Sequence, residues 1–137
     1  MFRVSTTIFC VAAFALSGNS AAFAQKEVRN LALKSGETLE LGPLYWQAKC
    51  SSIMTGLPVA EIMEGPGQIA ATVTAAMVLP RAQGCAKEIK GARLSVTAKE
   101  VKEKTEGPLA IRVKYPTKDG EKQNTRFYHV VIYPPKS

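Results

Sequence analysis

Residues 109 to 133 read LAIRVKYPTKDGEKQNTRFYHVVIY. Apolar side chains recur at every second position from Leu109 to Tyr115, with basic or small ones between them, which indicates a half-buried β-strand. Thr117–Gly120 carries an Asp-Gly pair, which is typical of a tight hairpin turn. Thr125–Tyr133 then continues as a strand that is apolar on both faces towards its end, as in the middle of a sheet. The stretch therefore predicts a β-hairpin at the end of the chain.

The same period of two repeats upstream, between turns rich in glycine and proline. One segment, residues 68–79, is rich in alanine, which favours helices, but its central threonines and valine favour a strand. Residues 99–107 are highly charged and are predicted to form a loop. About seven or eight short strands with turns every 8 to 12 residues imply an all-β sandwich or barrel. The further predicted strands are residues 28–33, 38–41, 44–51, 59–64, 68–79 and 92–98.

The first 24 residues have the organisation of a secretory signal peptide. Arg3 provides the positive start, residues 8–16 are apolar, and Ala22–Ala24 forms an A-x-A cleavage pattern. The apolar run would cross only about half of a bilayer core, so a membrane anchor fits less well, and no later stretch is long enough to span one. Cleavage after Ala24 leaves residues 25–137 as a single domain, which we expect to be periplasmic or secreted.

Cys50 and Cys85 remain after cleavage, because Cys10 lies in the leader. In an oxidising compartment two cysteines most simply form a disulfide, and the loop-entropy model gives a bridge of this span about 4 kcal/mol of stability. A catalytic thiol would need a base, and His129 is the only histidine. A zinc site would need more ligands, and neither C-x-x-C nor H-x-x-x-H is present. A disulfide is therefore predicted, with a redox or metal role as the alternative.

Strand alternation through residues 44–51 places Trp46 and Cys50 on the same face. We expect the indole ring to pack beside the disulfide and to form part of the core. A cysteine pair around a tryptophan-bearing strand favours a sandwich over a barrel.

Four stretches, taken in order, resemble the small secreted immunoglobulin-like or cadherin-like β-sandwich domains of proteobacteria. They are Y-W-x-A-K-C at 45–50, G-P-G at 65–67, G-C-A-K-E-I-K-G at 84–91 and V-K-Y-P-T-K-D-G at 113–120. The resemblance covers roughly residues 41 to 134. It implies an immunoglobulin-like antiparallel β-sandwich of about seven strands with one disulfide. It implies no chemistry, and the chain lacks the acidic calcium cluster and the G-x-D step of cadherin-like repeats.

Isolated candidates for catalysis do not assemble into an active site. His129 stands alone on a predicted strand, where a packed or rim position is the commoner role. Glu61 and Glu64 are three residues apart on a strand and so face opposite ways, unlike a catalytic carboxylate pair. The methionines could act as soft copper ligands, but their spacing is irregular and two of them fall on predicted core faces. We therefore expect no enzyme activity, metal or cofactor. The methionines considered are Met54, Met63 and Met77.

The excess of positive over negative charge lies in the second half of the chain. Without the leader the net charge is +6, from 17 basic and 11 acidic residues, and residues 81–137 carry all of the excess. Arg112 and Lys114 share the outer face of the hairpin strand, and Arg93 and Lys99 point outward on a possible neighbouring strand. These four predict a basic sheet face that binds an anionic partner, either an envelope protein or an anionic polymer. A merely solvated face is the alternative, and no nucleic-acid motif is present. The alternative functions are a structural envelope protein without a discrete ligand and a small enzyme with an unrecognised site.

Overall fold

The computed structural model describes residues 27–81 and 84–136, and these form nine β-strands and no helix. The predicted leader and its cleavage site lie outside the described residues. The all-β prediction is confirmed, and two of the nine strands are only two residues long, which accounts for a count above seven. The strands are β1 (Val28–Lys34), β2 (Thr38–Leu44), β3 (Gln47–Ala48), β4 (Ser51–Ser52), β5 (Val59–Glu64), β6 (Ile69–Val78), β7 (Ile89–Ala98), β8 (Thr105–Thr117) and β9 (Gly120–Tyr133).

The strands form a four-stranded sheet in the order β1-β9-β8-β5 and a three-stranded sheet in the order β2-β7-β6. Strands β3 and β4 make a small separate hairpin. Every pair is antiparallel except one: β1 lies parallel to β9, from Val28 opposite Phe127 to Lys34 opposite Tyr133. The structure thus differs from the expected wholly antiparallel sandwich at this pair, since the first strand lies beside the last one.

The order of the larger strands is that of an immunoglobulin sandwich. In that fold the second, fifth and fourth strands make one sheet, while the third, sixth and seventh make the other. Without the short β3 and β4, the sheets β2-β7-β6 and β9-β8-β5 reproduce these orders. The first strand joins the sheet of the last strand instead of that of the second.

One apolar cluster fills the space between the two sheets, and strand alternation explains its membership. On β7 every second residue from Ala92 to Ala98 is buried, whereas Arg93 between two of them is exposed. On β8 the predicted inward residues from Leu109 to Tyr115 are all buried. Full burial of one such side chain contributes about 1.5–3 kcal/mol. The fully buried aliphatic side chains are Leu33, Leu44, Leu94, Val96, Leu109, Ile111, Val113, Val130 and Ile132.

The prediction of one continuous strand over residues 44–51 is wrong. The chain reverses there through Lys49 and Cys50, which have φ angles of 51° and 63° and connect β3 to β4. A two-residue hairpin turn with positive φ at both positions usually contains glycine or asparagine, so no sequence signal marked it. Trp46 and Cys50 therefore do not share one strand face. The indole packs instead on the buried Tyr115, with a distance of 5.2 Å between the ring centroids.

Several predicted strand boundaries also differ, among them those of β2, β7, β8 and β9. β2 continues through Gly42 and Pro43, because a bulge after Glu40 and the position of β2 at a sheet edge accommodate a proline without an N–H group. β8 begins at Thr105, inside the predicted loop, because its first residues pair with the end of β9.

Candidate functional site

The four basic residues of the predicted docking face lie on two different sheets. Arg93 is on β7, and Lys99 is the first residue after the end of that strand. Arg112 and Lys114 are on β8. Strand β7 pairs with β2 and β6, and β8 pairs with β5 and β9. Because the outer faces of a sandwich point in opposite directions, the structure does not bring these four side chains together. The prediction that the strands of these residues, β7 and β8, are neighbours is therefore wrong.

Acidic side chains lie against three of these four residues. Arg93 Nη1 is 2.7 Å from Glu40 Oε1, and Lys114 Nζ is 3.2 Å from Glu61 Oε1. Arg112 is the direct cross-strand neighbour of Glu61. Exposed ion pairs of this kind stabilise a protein by only about 0–1 kcal/mol. They do lower the positive potential of both faces, so these residues are weaker anion sites than the sequence alone indicates.

A different set of basic residues converges at the open side of the sandwich, where β1 and β9 face the edge of β2. Arg29, Arg81 and Arg126 line a cleft of about 570 Å³ there, which we call the arginine cleft. The phenol of Tyr45 and the amide of Asn124 also line it. Guanidinium groups offer planar forks of N–H donors that match the oxygens of carboxylates and phosphates. The composition of the cleft is thus suited to an anionic ligand.

Two of the arginines hold the edge of β2. Arg29 on β1 donates from Nη1 to the carbonyl oxygen of Leu41 at 3.5 Å, and Arg126 on β9 donates from Nη2 to that of Pro43 at 3.2 Å. Both bonds run from the four-stranded sheet to the three-stranded sheet. They satisfy carbonyl groups at an edge where no strand pairs within the described residues. Each guanidinium has five N–H donors, so one such bond leaves others for a ligand.

Arg81, the third arginine of the cleft, is positioned by a hydrogen bond of its backbone N–H group. Arg81 follows β6, and its N–H group donates to the hydroxyl oxygen of Tyr45 at 2.9 Å. The exposed Arg81 side chain makes no ion pair among residues 27–81 and 84–136. It is therefore the arginine of the cleft whose role is simplest to test, because its removal disturbs no other described contact.

The cleft has a strong excess of positive charge. Glu40 is the one carboxylate among the described lining residues, and it also forms the ion pair with Arg93. Three guanidinium groups therefore face one carboxylate that already has a partner. A concave site lined by charge of one sign raises the local concentration of oppositely charged ligands.

The predicted disulfide between Cys50 and Cys85 is confirmed, with a Cα–Cα distance of 5.3 Å. It joins the turn between β3 and β4 to the connection between β6 and β7, and so lies outside the main sheets. The β3–β4 turn comes shortly after Tyr45 in the chain, and the β6–β7 connection contains Arg81. The side-chain oxygen Oε1 of Gln47 accepts the N–H of Cys50 at 2.9 Å and supports the turn. The disulfide thus constrains one wall of the arginine cleft.

No pattern in the sequence indicated the arginine cleft. Its three arginines lie on β1, after β6 and on β9, and they meet because β1 runs beside β9 and opposite β2. A pairing between the two ends of a chain leaves no local pattern. The alternation on β9 could place Arg126 on a face, but it could not indicate which strand that face would meet.

Other candidates from the sequence lie elsewhere. His129 is on β9 with its Nε2 atom 3.7 Å from Glu106 Oε2, and it does not line the arginine cleft. Met63 and Met77 are 48% and 49% exposed, so their predicted core positions are wrong, because both lie on edge strands. No group of three or more His, Cys, Asp or Glu side chains in the described part of the chain could hold a metal ion. That part also contains no helix both long and apolar enough to cross a membrane.

No protein-family model and no curated protein sequence matches the chain. Among solved structures, similarity is found to a 2,6-sialyltransferase of Vibrionaceae Photobacterium sp. JT-ISH-224, crystallised with CMP and lactose, at 12% identity and a TM-score of 0.40. That match covers 80% of this chain but 18% of the sialyltransferase. Amebosin, known from a solution structure, matches at 14% identity and a TM-score of 0.34, over 77% of this chain and 88% of its own. Similarities this low carry no argument about function.

Proposed function

We propose that the protein is a non-catalytic binding module of the periplasm or the extracellular space, which holds an anionic envelope ligand in the arginine cleft. The observation that carries the proposal is the convergence of Arg29, Arg81 and Arg126 around one concave surface with a single, already paired carboxylate. The leader pattern and the disulfide support the location, since disulfides persist mainly outside the cytoplasm.

The chemistry of the cleft favours binding over reaction. Apart from the Glu40 carboxylate, which is paired with Arg93, its polar side chains can donate hydrogen bonds: they are guanidinium groups, the Tyr45 phenol and the Asn124 amide. His129, the only histidine of the chain, lies outside it. Such a set of donors holds negative charge in place and lacks a histidine to move a proton. The ligand class we propose is a carboxylate-bearing or phosphate-bearing component of the envelope.

The experiment compares two probes that present this chemistry differently. Oligogalacturonate provides carboxylates on a soluble polymer, and phosphatidylglycerol vesicles provide phosphates on a membrane surface. Binding to the oxidised protein is measured by calorimetry at low and at physiological salt. We expect one of the two probes to bind and its affinity to fall with added salt, because exposed charges are screened beyond about 8 Å at physiological ionic strength.

Arg81→Gln is the decisive variant, with Arg112→Gln as its control. Both changes remove one guanidinium, but Arg112 lies on β8 outside the cleft. Hydrogen bonds to charged groups contribute about 1.5–3 kcal/mol, so we expect roughly a tenfold or greater loss of affinity for Arg81→Gln and little change for the control. Equal losses in both variants would place the binding elsewhere, and failure of both probes to bind would contradict the proposal.

A further inference from the structure

The sandwich has four edge strands, and they differ in how they are protected from pairing with other chains. The four-stranded sheet ends in β1 and β5, and the three-stranded sheet ends in β2 and β6. An edge strand presents unpaired N–H and C=O groups that can pair with another strand. Proteins limit this with charges, prolines, bulges or short strands.

Three of the edges carry such protection. β1 bears two basic residues, Arg29 and Lys34. β2 has a bulge after Glu40 and a proline at position 43, and arginines from the other sheet bind two of its carbonyl groups. β5 is six residues long, contains two glutamates and has a bulge near its end.

β6 has none of these features. It is ten residues long, with the sequence IAATVTAAMV, and contains neither a charged residue nor a proline. Its pairing with β7 continues without a register shift from Ile69 opposite Ala98 to Val78 opposite Ile89. On its other side no strand pairs with it within the described residues 27–81 and 84–136. The uncharged stretch extends further, from residue 65 to residue 80.

Exposed apolar side chains gather on the same side of the sandwich. Large ones that are about half exposed occur before β5, on β5, on β6 and after β6. A shallow groove of about 520 Å³, lined by Met54, Leu57 and Met77 among others, lies at one end of β6. Apolar side chains clustered around an open strand edge indicate an interaction surface. They are Leu57, Val59, Met63, Met77 and Leu79.

We propose that β6 pairs in antiparallel fashion with β6 of a second copy of this chain, which joins two three-stranded sheets into one of six strands. Two-fold pairing sets a strand against itself, so a strand with charges would meet like charges, and β6 has none. Apart from Met77, its exposed residues Ala70, Thr72, Thr74 and Ala75 are small, and the two threonines favour strands. No charge on β6 would select an acidic or a basic partner protein instead.

The basic residues of the chain do not oppose this pairing. In the dimer, the two β7 strands are separated by both β6 strands, a distance of about 14 Å at normal strand spacing. This exceeds the Debye length of about 8 Å at physiological salt. No residue of β6 itself lines the arginine cleft, although Arg81 follows that strand, so the dimer presents two clefts and does not depend on what they bind.

The test measures the oligomeric state of the protein, expressed with its own leader and purified with its disulfide intact, by sedimentation velocity over a range of concentrations. We expect a monomer–dimer equilibrium. Two variants each place like charges in the centre of β6: Thr72→Lys with Thr74→Lys, and Thr72→Glu with Thr74→Glu. Each should be monomeric alone, and an equimolar mixture should recover a dimer that contains one of each.

Asn30→Lys is the matched control, since it adds a lysine to the β1 edge of the other sheet, and it should keep the dimer. Thermal unfolding of each variant shows whether it is folded. A protein that stays monomeric at all concentrations overturns the proposal, and so does a dimer that survives the lysine substitutions. A monomer that instead captures an extended peptide at β6 would assign the edge to a different partner and would also overturn it.

Discussion

The two edge strands of the three-stranded sheet, β2 and β6, differ in how far they are protected. At the β2 side, Arg29 and Arg126 reach across from the other sheet and bind backbone carbonyl groups. At the β6 side, the edge is long, uncharged and without such contacts among the described residues. An edge covered by cations is poor for strand pairing and good for anions, whereas an edge without charge is the reverse. The comparison indicates that one small sandwich can keep the proposed ligand site apart from the proposed dimer edge.

Removal of the disulfide should produce the largest difference between the two sides. We expect Cys50→Ser with Cys85→Ser to lower the free energy of unfolding by about 4 kcal/mol, because the unfolded chain gains the entropy of the opened loop. The variant should also bind oligogalacturonate or phosphatidylglycerol vesicles less tightly, since the bridge constrains the segments next to Tyr45 and Arg81. Urea unfolding and calorimetry measure the two effects.

Dimer formation should survive the loss of the disulfide in whatever fraction remains folded, because neither cysteine belongs to the β6 edge strand. If the dimer disappears while the cleft keeps its affinity, the assignment of the bridge to the wall of the arginine cleft is incorrect.

Gly91→Ala should affect both sides at once. Gly91 is on β7, and an added Cβ would lie 2.6 Å from the carbonyl oxygen of Leu44 and 2.6 Å from Cγ2 of Val78. These atoms belong to the ends of β2 and β6, the two strands that flank β7. The added methyl group therefore clashes with both neighbouring strands at once. Overpacking of this kind costs about 1–3 kcal/mol, which thermal or urea unfolding would detect.

Gly67→Ala is the control for that substitution. Nothing lies within 4 Å of the position that its Cβ would occupy, and its φ is not positive. Surface substitutions of this kind usually change stability by less than about 0.5 kcal/mol. If both alanine variants lose the same free energy of unfolding, the close contacts at Gly91 are not the cause of the loss.

Arg126→Gln tests whether the arginines protect the β2 edge. We expect a loss of about 1 kcal/mol, since the bond to the Pro43 carbonyl oxygen is only partly buried. With Arg29→Gln added, backbone amide exchange along β2 should become faster, while exchange along β6 stays as it was. Unchanged protection of β2 would mean that the bulge and Pro43 already suffice at this edge.

The smallest effect is expected from Glu40→Gln. The change breaks an exposed ion pair with Arg93, which contributes at most about 1 kcal/mol, so stability should hardly alter. It also removes the carboxylate of the cleft, which should raise the affinity for the anionic probe a few-fold. A fall in affinity would show that Glu40 orients the cleft and does not merely reduce its charge.

The parts of the fold that local patterns determine were predictable. The hairpin of β8 and β9 follows from alternation and an Asp-Gly turn, which are features of neighbouring residues. The pairing of Cys50 with Cys85 follows from their number and from the expected compartment. Burial on β7 follows from a clean period of two.

What depends on contacts between distant parts of the chain was not predictable. Alternation showed that Arg93 and Arg112 point outward, but it could not show that β7 and β8 belong to different sheets. The arginine cleft depends on the parallel pairing of β1 with β9, which no local pattern encodes. The reversal at Lys49 and Cys50 was missed because both residues have positive φ without being glycine.

The pairing of the first strand with the last also has a consequence for when the protein can fold. β1 has no neighbour in its sheet until β9 has been made, and the backbone bond from the Ser35 N–H to the Tyr133 carbonyl oxygen closes the same junction. Contacts this distant in sequence form slowly, and a growing chain emerges from its N-terminus. The domain therefore stays incomplete until β9 has been synthesised.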